Sequence, residues 1–283
     1  MKKIIVAVDF SDCSINALEH AISLADKAKS DICMIWIKEN KINEDVFTSE
    51  PENILQEAER RFNELIKKYQ PALKNSKLTY KIIEGKVYRE IVIEAKSSNA
   101  FLIVAGTHGA SGFEEFWAGS NANKLVSSTE IPVITIRGGI NIERDLTKIL
   151  LPIDSSNETR QKASFTGKLA KLFNAKICIL AVYTTKVNTV QERVNSYADQ
   201  VAKFFDKENI KYDRDSVYST NLVDTCIEYA KKNDANLISI MTEQEKTASN
   251  IWLGPYASRF VNHSPFPILS IHPKRSSTIS LAR

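Results

Sequence analysis

The sequence predicts an α/β fold built as two tandem repeats, each a five-stranded parallel sheet with helices on both faces. Three observations carry this. Short continuous apolar runs alternate with stretches of helical periodicity. The runs are too uniformly apolar for strands with one wet face, so they read as strands buried on both sides. The same succession then occurs a second time.

In the first repeat, "KIIVAVD" is the opening strand. "SINALEHAISLADKA" places Ala17, Leu18, Ala21, Ile22, Leu24 and Ala25 on one helical face. "DICMIWI" is the second strand, and "NILQEAERRFNELIKKYQPAL" an amphipathic helix. "LTYKIIEG" is the third strand, followed by the helix "VYREIVIEAKSSNA". "FLIVAG" is the fourth strand, "SNANKLVSST" a short helix and "PVITIR" the fifth strand. Such a βαβα order gives a parallel sheet with right-handed crossovers.

The second repeat begins at "TKILLPIDSSN". Asp154 follows Asp9 by 145 positions, and the same offset puts Cys178 on Cys33. Farther on, Trp252 follows Trp117 by 135 positions, so the second copy is shorter between its second and third strands. The expected division is residues 1–140, 147–275 and a tail at 276–283. Gly138 and Gly139 break the pattern at the boundary.

Composition narrows the function. A net charge of +4, with acids and bases mixed along the chain, gives no electrostatic footprint for nucleic acid. No apolar run has membrane-spanning length, and Asp9 interrupts the opening run where a signal peptide would continue. The expectation is a cytoplasmic protein with no membrane partner. Cys13, Cys33, Cys178 and Cys226 form no C-x-x-C pair and no cluster with histidine, so no metal site is expected. Cys33 and Cys178 read as small buried hydrophobes. Cys13, near a helix start, could carry a lowered pKa.

The candidate site is "GTHGASGFEEFWAGSN", residues 106–121. It follows the buried strand "FLIVA", at the end of a parallel sheet where ligands bind. Gly106 and Gly109 let bare backbone approach a ligand. Gly119 and Ser120 open a helix whose first N–H groups have no internal partner, which suits a phosphate. Turn-making and N-capping by Ser120 also account for these residues taken singly. The spacing is neither a Walker loop nor the dinucleotide fingerprint.

The G-x2-G-x9-G-S arrangement of Gly106, Gly109, Gly119 and Ser120, with "VAVDFSD" and "IPVITI" around it, resembles the universal stress protein family. The resemblance covers both halves and implies a tandem member of that family, with its Rossmann-like, adenine nucleotide alpha hydrolase-like fold. It implies ATP as ligand; one carboxylate, Asp9, with phosphate oxygens would also suit Mg²⁺ as an optional companion. The motif loop would hold triphosphate and ribose, Asp9 would reach the nucleoside, and the backbone at Ile37 would face the adenine. Ala7, Ala105 and His108 fall on family contact positions, and Asn121 and Ala122 follow the serine with N–H groups for phosphate.

In the second copy the matching positions are Met241, Gln244, Gly254 and Pro255. Side chains stand where bare backbone was needed, and Pro255 has no N–H. Nucleotide binding is therefore expected in the first half alone. The second half is expected to complete an intramolecular pseudo-dimer, and two chains could still associate as a homodimer through their last strands. Asp154 persists there, in keeping with a turn role for this residue. Trp117 and Trp252 are retained in both copies, which favours packing over ligand stacking.

No catalytic residue is assigned. His108 is the one candidate in the loop, with no partner acid or nucleophile beside it. Three readings stay open: an ATP-binding stress or regulatory protein, a slow ATPase or phosphotransferase, and an interaction or small-ligand module without nucleotide.

Overall fold

The computed structural model describes residues 2–39, 54–107, 120–137, 145–242, 244–247 and 250–273. In the first half the order is β1 (Lys2–Ala7), α1 (Asp12–Ala28), β2 (Ser30–Lys38), α2 (Ile54–Tyr69), β3 (Leu78–Glu84), α3 (Val87–Ser97), β4 (Ala100–Gly106), α4 (Ser120–Ser128) and β5 (Val133–Ile136). The second half runs β6 (Lys148–Ile153), α5 (Lys162–Phe173), β7 (Lys176–Tyr183), α6 (Asn188–Lys207), β8 (Tyr212–Tyr218), α7 (Leu222–Lys232) and β9 (Leu237–Met241). It continues with β10 (Gln244–Thr247), β11 (Asn250–Leu253), α8 (Pro255–His263) and β12 (Ile268–Ile271).

Each half is a parallel sheet, as expected, and its first strand lies between the second and the fourth. The two sheets are not separate. The strand order is β3-β2-β1-β4-β5-β12-β9-β6-β7-β8, one ten-stranded sheet. Its central seam is antiparallel, with Ile268 opposite Thr135, Leu269 opposite Ile134 and Ser270 opposite Val133. The last strands of the two halves thus pair edge to edge, and each covers the other's exposed ladder.

Helices α1, α2, α5 and α6 bury their apolar faces on one side of the sheet. Helices α3, α4, α7 and α8 do so on the other. Helix α1 shows how the sequence achieves this. Ser11 caps its start by accepting from the Ser14 N–H, and Lys29 ends it in the left-handed region at φ 49°. Between them Ala17, Leu18, Ala21, Leu24 and Ala25 face the sheet. In α2 the buried residues Ile54, Ala58 and Phe62 recur every fourth position, and the helix stops before Pro71. The shortening of the second repeat falls between β7 and α6. The hairpin β10–β11 was not foreseen from the sequence.

Candidate functional site

In both halves the strand order reverses beside the first strand, between β1 and β4 and between β6 and β9. Such a switch point opens a crevice at the carboxyl ends of the strands. At the first switch point Ala7 of β1 lies directly across from Ala105 of β4. Gly106 comes next, followed by Thr107, whose N–H donates to the Ile136 carbonyl at 2.9 Å. Both strands therefore end on small residues, with little side-chain bulk at this point. Ile37 lies on the neighbouring strand, two residues beyond Ile35, which pairs with Ala7.

Asp9 follows β1. Its Oδ1 accepts from the Ser11 N–H at 3.1 Å and from the Ser11 hydroxyl at 2.5 Å. The Asp9 N–H donates to Ser14 Oγ at 3.3 Å. One carboxylate oxygen is therefore used in building the turn. Phe10, between these residues, has φ 64°, an uncommon backbone conformation for a bulky side chain. Its ring packs on Phe62, with centroids 4.8 Å apart, and the Arg61 guanidinium lies 5.6 Å from its centre.

Gly106 has a structural reason of its own. A Cβ there would lie 2.8 Å from Cys13 Sγ and 3.1 Å from the Cys13 carbonyl carbon. The start of α1 is pressed against the end of β4, and only glycine permits it. Cys13 is buried, and its thiol lies 3.3 Å from the Ile136 carbonyl as a donor. The expectation of a reactive thiol fares poorly against that burial. Cys33 and Cys178 are buried in β2 and β7, and burial pushes both thiols up.

The structure brings Ala7, Asp9, Ala105 and Gly106 together at one end of the sheet. Helix α4 begins at Ser120, so Asn121 and Ala122 stand in its first turn; Asn121 is exposed and Ala122 buried. His108, Gly109, Gly119 and Trp117 lie outside the described residues, as does the 276–283 tail.

The second switch point is built differently. The repeat places Pro152 at the position of Ala7, Ile240 at that of Ala105 and Met241 at that of Gly106. Pro152 and Ile240 belong to strands β6 and β9, and Met241 packs on the core. Beyond them the chain forms the hairpin β10–β11, then Gly254 and Pro255 open α8, with no side-chain cap. Asp154 repeats the Asp9 turn closely. Its Oδ1 accepts from the Ser156 N–H at 2.9 Å and the Ser156 hydroxyl at 2.5 Å, and its N–H donates to Thr159 Oγ1 at 3.2 Å.

Beneath that turn lies a residue the sequence reading passed over. Lys162 is only 3% exposed, and its Nζ donates to the Thr159 carbonyl at 2.8 Å and to Thr159 Oγ1 at 2.9 Å. Burial brings its pKa down from 10.5 to about 8, against the pull of the nearby Asp154 carboxylate. One turn on, Thr166 shares a buried hydrogen bond of 2.7 Å with Ser239. Among the described residues no group of three or more His, Cys, Asp or Glu could hold a metal ion. No described helix is long and apolar enough to cross a membrane.

Comparison with known proteins agrees with this architecture. The sequence model of the universal stress protein family matches residues 1–137 and again 146–272. A universal stress protein of Methanocaldococcus jannaschii is 29% identical over 143 residues, which is 48% of this chain and 82% of that protein. Universal stress protein YxiE of Bacillus subtilis is 29% identical over 151 residues, 48% of this chain and 98% of that one. The crystal structure of a universal stress protein from Archaeoglobus fulgidus superposes with a TM-score of 0.74 at 16% identity. It covers 95% of this chain and 98% of its own, a likeness of fold over the whole tandem. The chain belongs to the universal stress protein family and carries the family's unit twice.

Proposed function

We propose that this protein is a nucleotide-responsive regulator that binds one ATP, in its first half. The difference between the two switch points carries the reading. Ala7 and Ala105 bring only methyl groups, and Gly106 bare backbone, to the strand ends beside Asp9, whereas the repeat puts the larger Pro152, Ile240 and Met241 at the equivalent places. The residues present suit the ligand. Asp9 keeps its second carboxylate oxygen for a ribose or base donor, since the turn uses Oδ1. The first turn of α4 offers the N–H groups of Asn121 and Ala122 to phosphate. Mg²⁺, if it accompanies the phosphates, would need few protein ligands, because that ion keeps several waters.

The test transplants one residue of the second half into the first. Ser120→Pro removes a hydroxyl and an N–H, while proline is well suited to a first helical position, as Pro255 is in α8. Equilibrium dialysis with labelled ATP is expected to give close to one equivalent per chain for the wild type. For Ser120→Pro, affinity should drop by about tenfold or more, the worth of a charge-assisted hydrogen bond, with the thermal midpoint little changed. Two equivalents in the wild type would overturn the first-half assignment. None would leave the interaction module as the better reading.

A further inference from the structure

Among the described residues, five buried side-chain oxygens have no hydrogen-bond partner, and four of them lie on the two strands that form the seam and on the two helices that meet beside it. They are Thr135 Oγ1 of β5, Ser270 Oγ of β12, Asn123 Oδ1 of α4 and Asn262 Oδ1 of α8. Thr135 and Ser270 share a sheet face. Their strand neighbours Val133 and Ile268 pack with α4 and α8, whereas Ile134 and Leu269 face the opposite side. The two amides meet over the seam, where Asn123 Nδ2 and Asn262 Nδ2 both donate to Ser258 Oγ, at 3.5 and 3.2 Å.

Buried polar atoms in native proteins are satisfied by protein or by ordered water. A cluster of neutral oxygens without a carboxylate among them suits water, each molecule bridging several such groups. An apolar seam would have held the halves rigidly through close packing. Here hydroxyls and amides can exchange partners through water as the helices shift. Helix α4 connects this seam to the glycine loop. It begins at Ser120, and Asn123 is within its first turn. The second half holds α4 at two places, through α8 and through strand β11, which runs against it.

We propose that the seam is a built site for ordered water, shared by Thr135, Ser270, Asn123 and Asn262, and that it serves as the joint through which occupancy of the first half's nucleotide loop reaches α8. The second clause rests on the nucleotide reading above. A shift of α4 on binding phosphate would re-pair the seam's hydrogen bonds and move α8. The degenerate second half would then act as the reader of the first.

Amide hydrogen exchange over residues 255–263, with and without MgATP, tests this, with bound ATP measured in the same samples. In the wild type we expect ATP to bind and exchange in α8 to change by about fivefold or more, the lower end of usual coupling between sites. In Thr135→Val/Ser270→Ala, ATP should still bind while the change in α8 is lost. ATP bound with α8 unchanged in the wild type overturns the joint and leaves the nucleotide reading intact. So does a double variant that responds as the wild type does. If no ATP binds, the nucleotide reading fails and the joint falls with it. The coupling of α4 to α8 is then read from Asn123→Ala without nucleotide, where faster α8 exchange shows that the seam couples the two helices and an unchanged rate shows that it does not.

Discussion

Under the turn that follows β1, helix α1 faces the sheet with Ala17 and Ala21, and β4 answers with Val104. The same three places in the second half hold Lys162, Thr166 and Ser239, all buried. On the opposite face Ile91 of α3 is replaced by Cys226 of α7. One half keeps an apolar interior below its switch point, and the other keeps polar side chains at the same places. The polar side chains follow from each other. A buried ammonium needs acceptors, and Thr159 supplies two. A polar group on α5 needs a partner on β9, and Ser239 supplies it. The second half thus carries an internal polar network where the first half has apolar contacts. The comparison also separates two kinds of retained residue. Asp9 and Asp154 make the same turn, so persistence of the aspartate says nothing by itself about nucleotide.

The largest expected effect comes from Lys162. Its folded pKa lies near 8, against 10.5 ordinarily, because burial disfavours the charged form. Below pH 8 both folded and unfolded chains carry the proton, and the cost of the buried charge is fully present. Between pH 8 and 10.5 the folded chain has released the proton that the unfolded chain still holds, so stability rises with pH. The shift corresponds to about 3 kcal/mol. The Cys226 thiol, pushed up to about 12 by burial, stays neutral throughout this window. Lys162→Met should be more stable than the wild type by about 2 kcal/mol at pH 7. The difference should close at about pH 9.5 and reverse by about 1 kcal/mol at pH 10.5. Urea unfolding at several pH values measures it, and a pH-independent difference would mean that Lys162 is not buried as a cation.

Next in size is Gly106. Alanine there would bring a Cβ against Cys13 Sγ at 2.8 Å, and the backbone of Cys13 cannot easily retreat. Gly106→Ala should cost about 2 kcal/mol, the usual scale for overpacking. In the Cys13→Ala background the cost should be about half as large, because Sγ is gone while the carbonyl remains. Equal costs in both backgrounds, read from unfolding midpoints, would place the strain elsewhere. The second half took the other course. Met241 stands at this position, and α5 begins at Lys162 where the repeat would have it begin at Asn157; residues 157–161 form turns instead.

These contrasts explain what could be read in the sequence. Strands buried on both faces announce themselves as apolar runs, and repetition made each a check on the other. "FLIVAG" and "NLISIM" read alike as strands. The edge-to-edge union of β5 with β12 was not legible, because an apolar strand does not name its neighbour. The hairpin β10–β11 was hidden because its stretch corresponds in the repeat to the glycine loop of the first half. Lys162 was invisible for a physical reason: a helical lysine is ordinarily solvated. A signal did exist. The repeat puts Lys162 on Ala17, Thr166 on Ala21 and Ser239 on Val104, three polar replacements on facing buried surfaces. That Asp9 and Gly106 stand at the ends of buried strands was legible because strand ends are a matter of topology, whereas Ala7 and Ala105 were named only through the family resemblance.

The smallest effect is the one that best tests the comparison. Asp9→Asn and Asp154→Asn both retain an Oδ1 to accept from the serine two residues on, so each should preserve its turn. Their consequences should still differ. Asp154 faces the buried ammonium of Lys162, whereas Ala17 stands at that place below Asp9. Neutralising Asp154 should therefore cost about 1 kcal/mol more than neutralising Asp9, in line with hydrogen-bond and charge effects at partly exposed sites. In the Lys162→Met background that excess should disappear, a double-mutant cycle with an interaction energy of the same size. If the two asparagine variants lose stability equally, the ammonium feels Asp154 no more than solvent does, and the buried bonds to Thr159 alone must hold it. The second half would then be a packed element with one costly lysine. It would not be an electrostatic network assembled around the Asp154 turn.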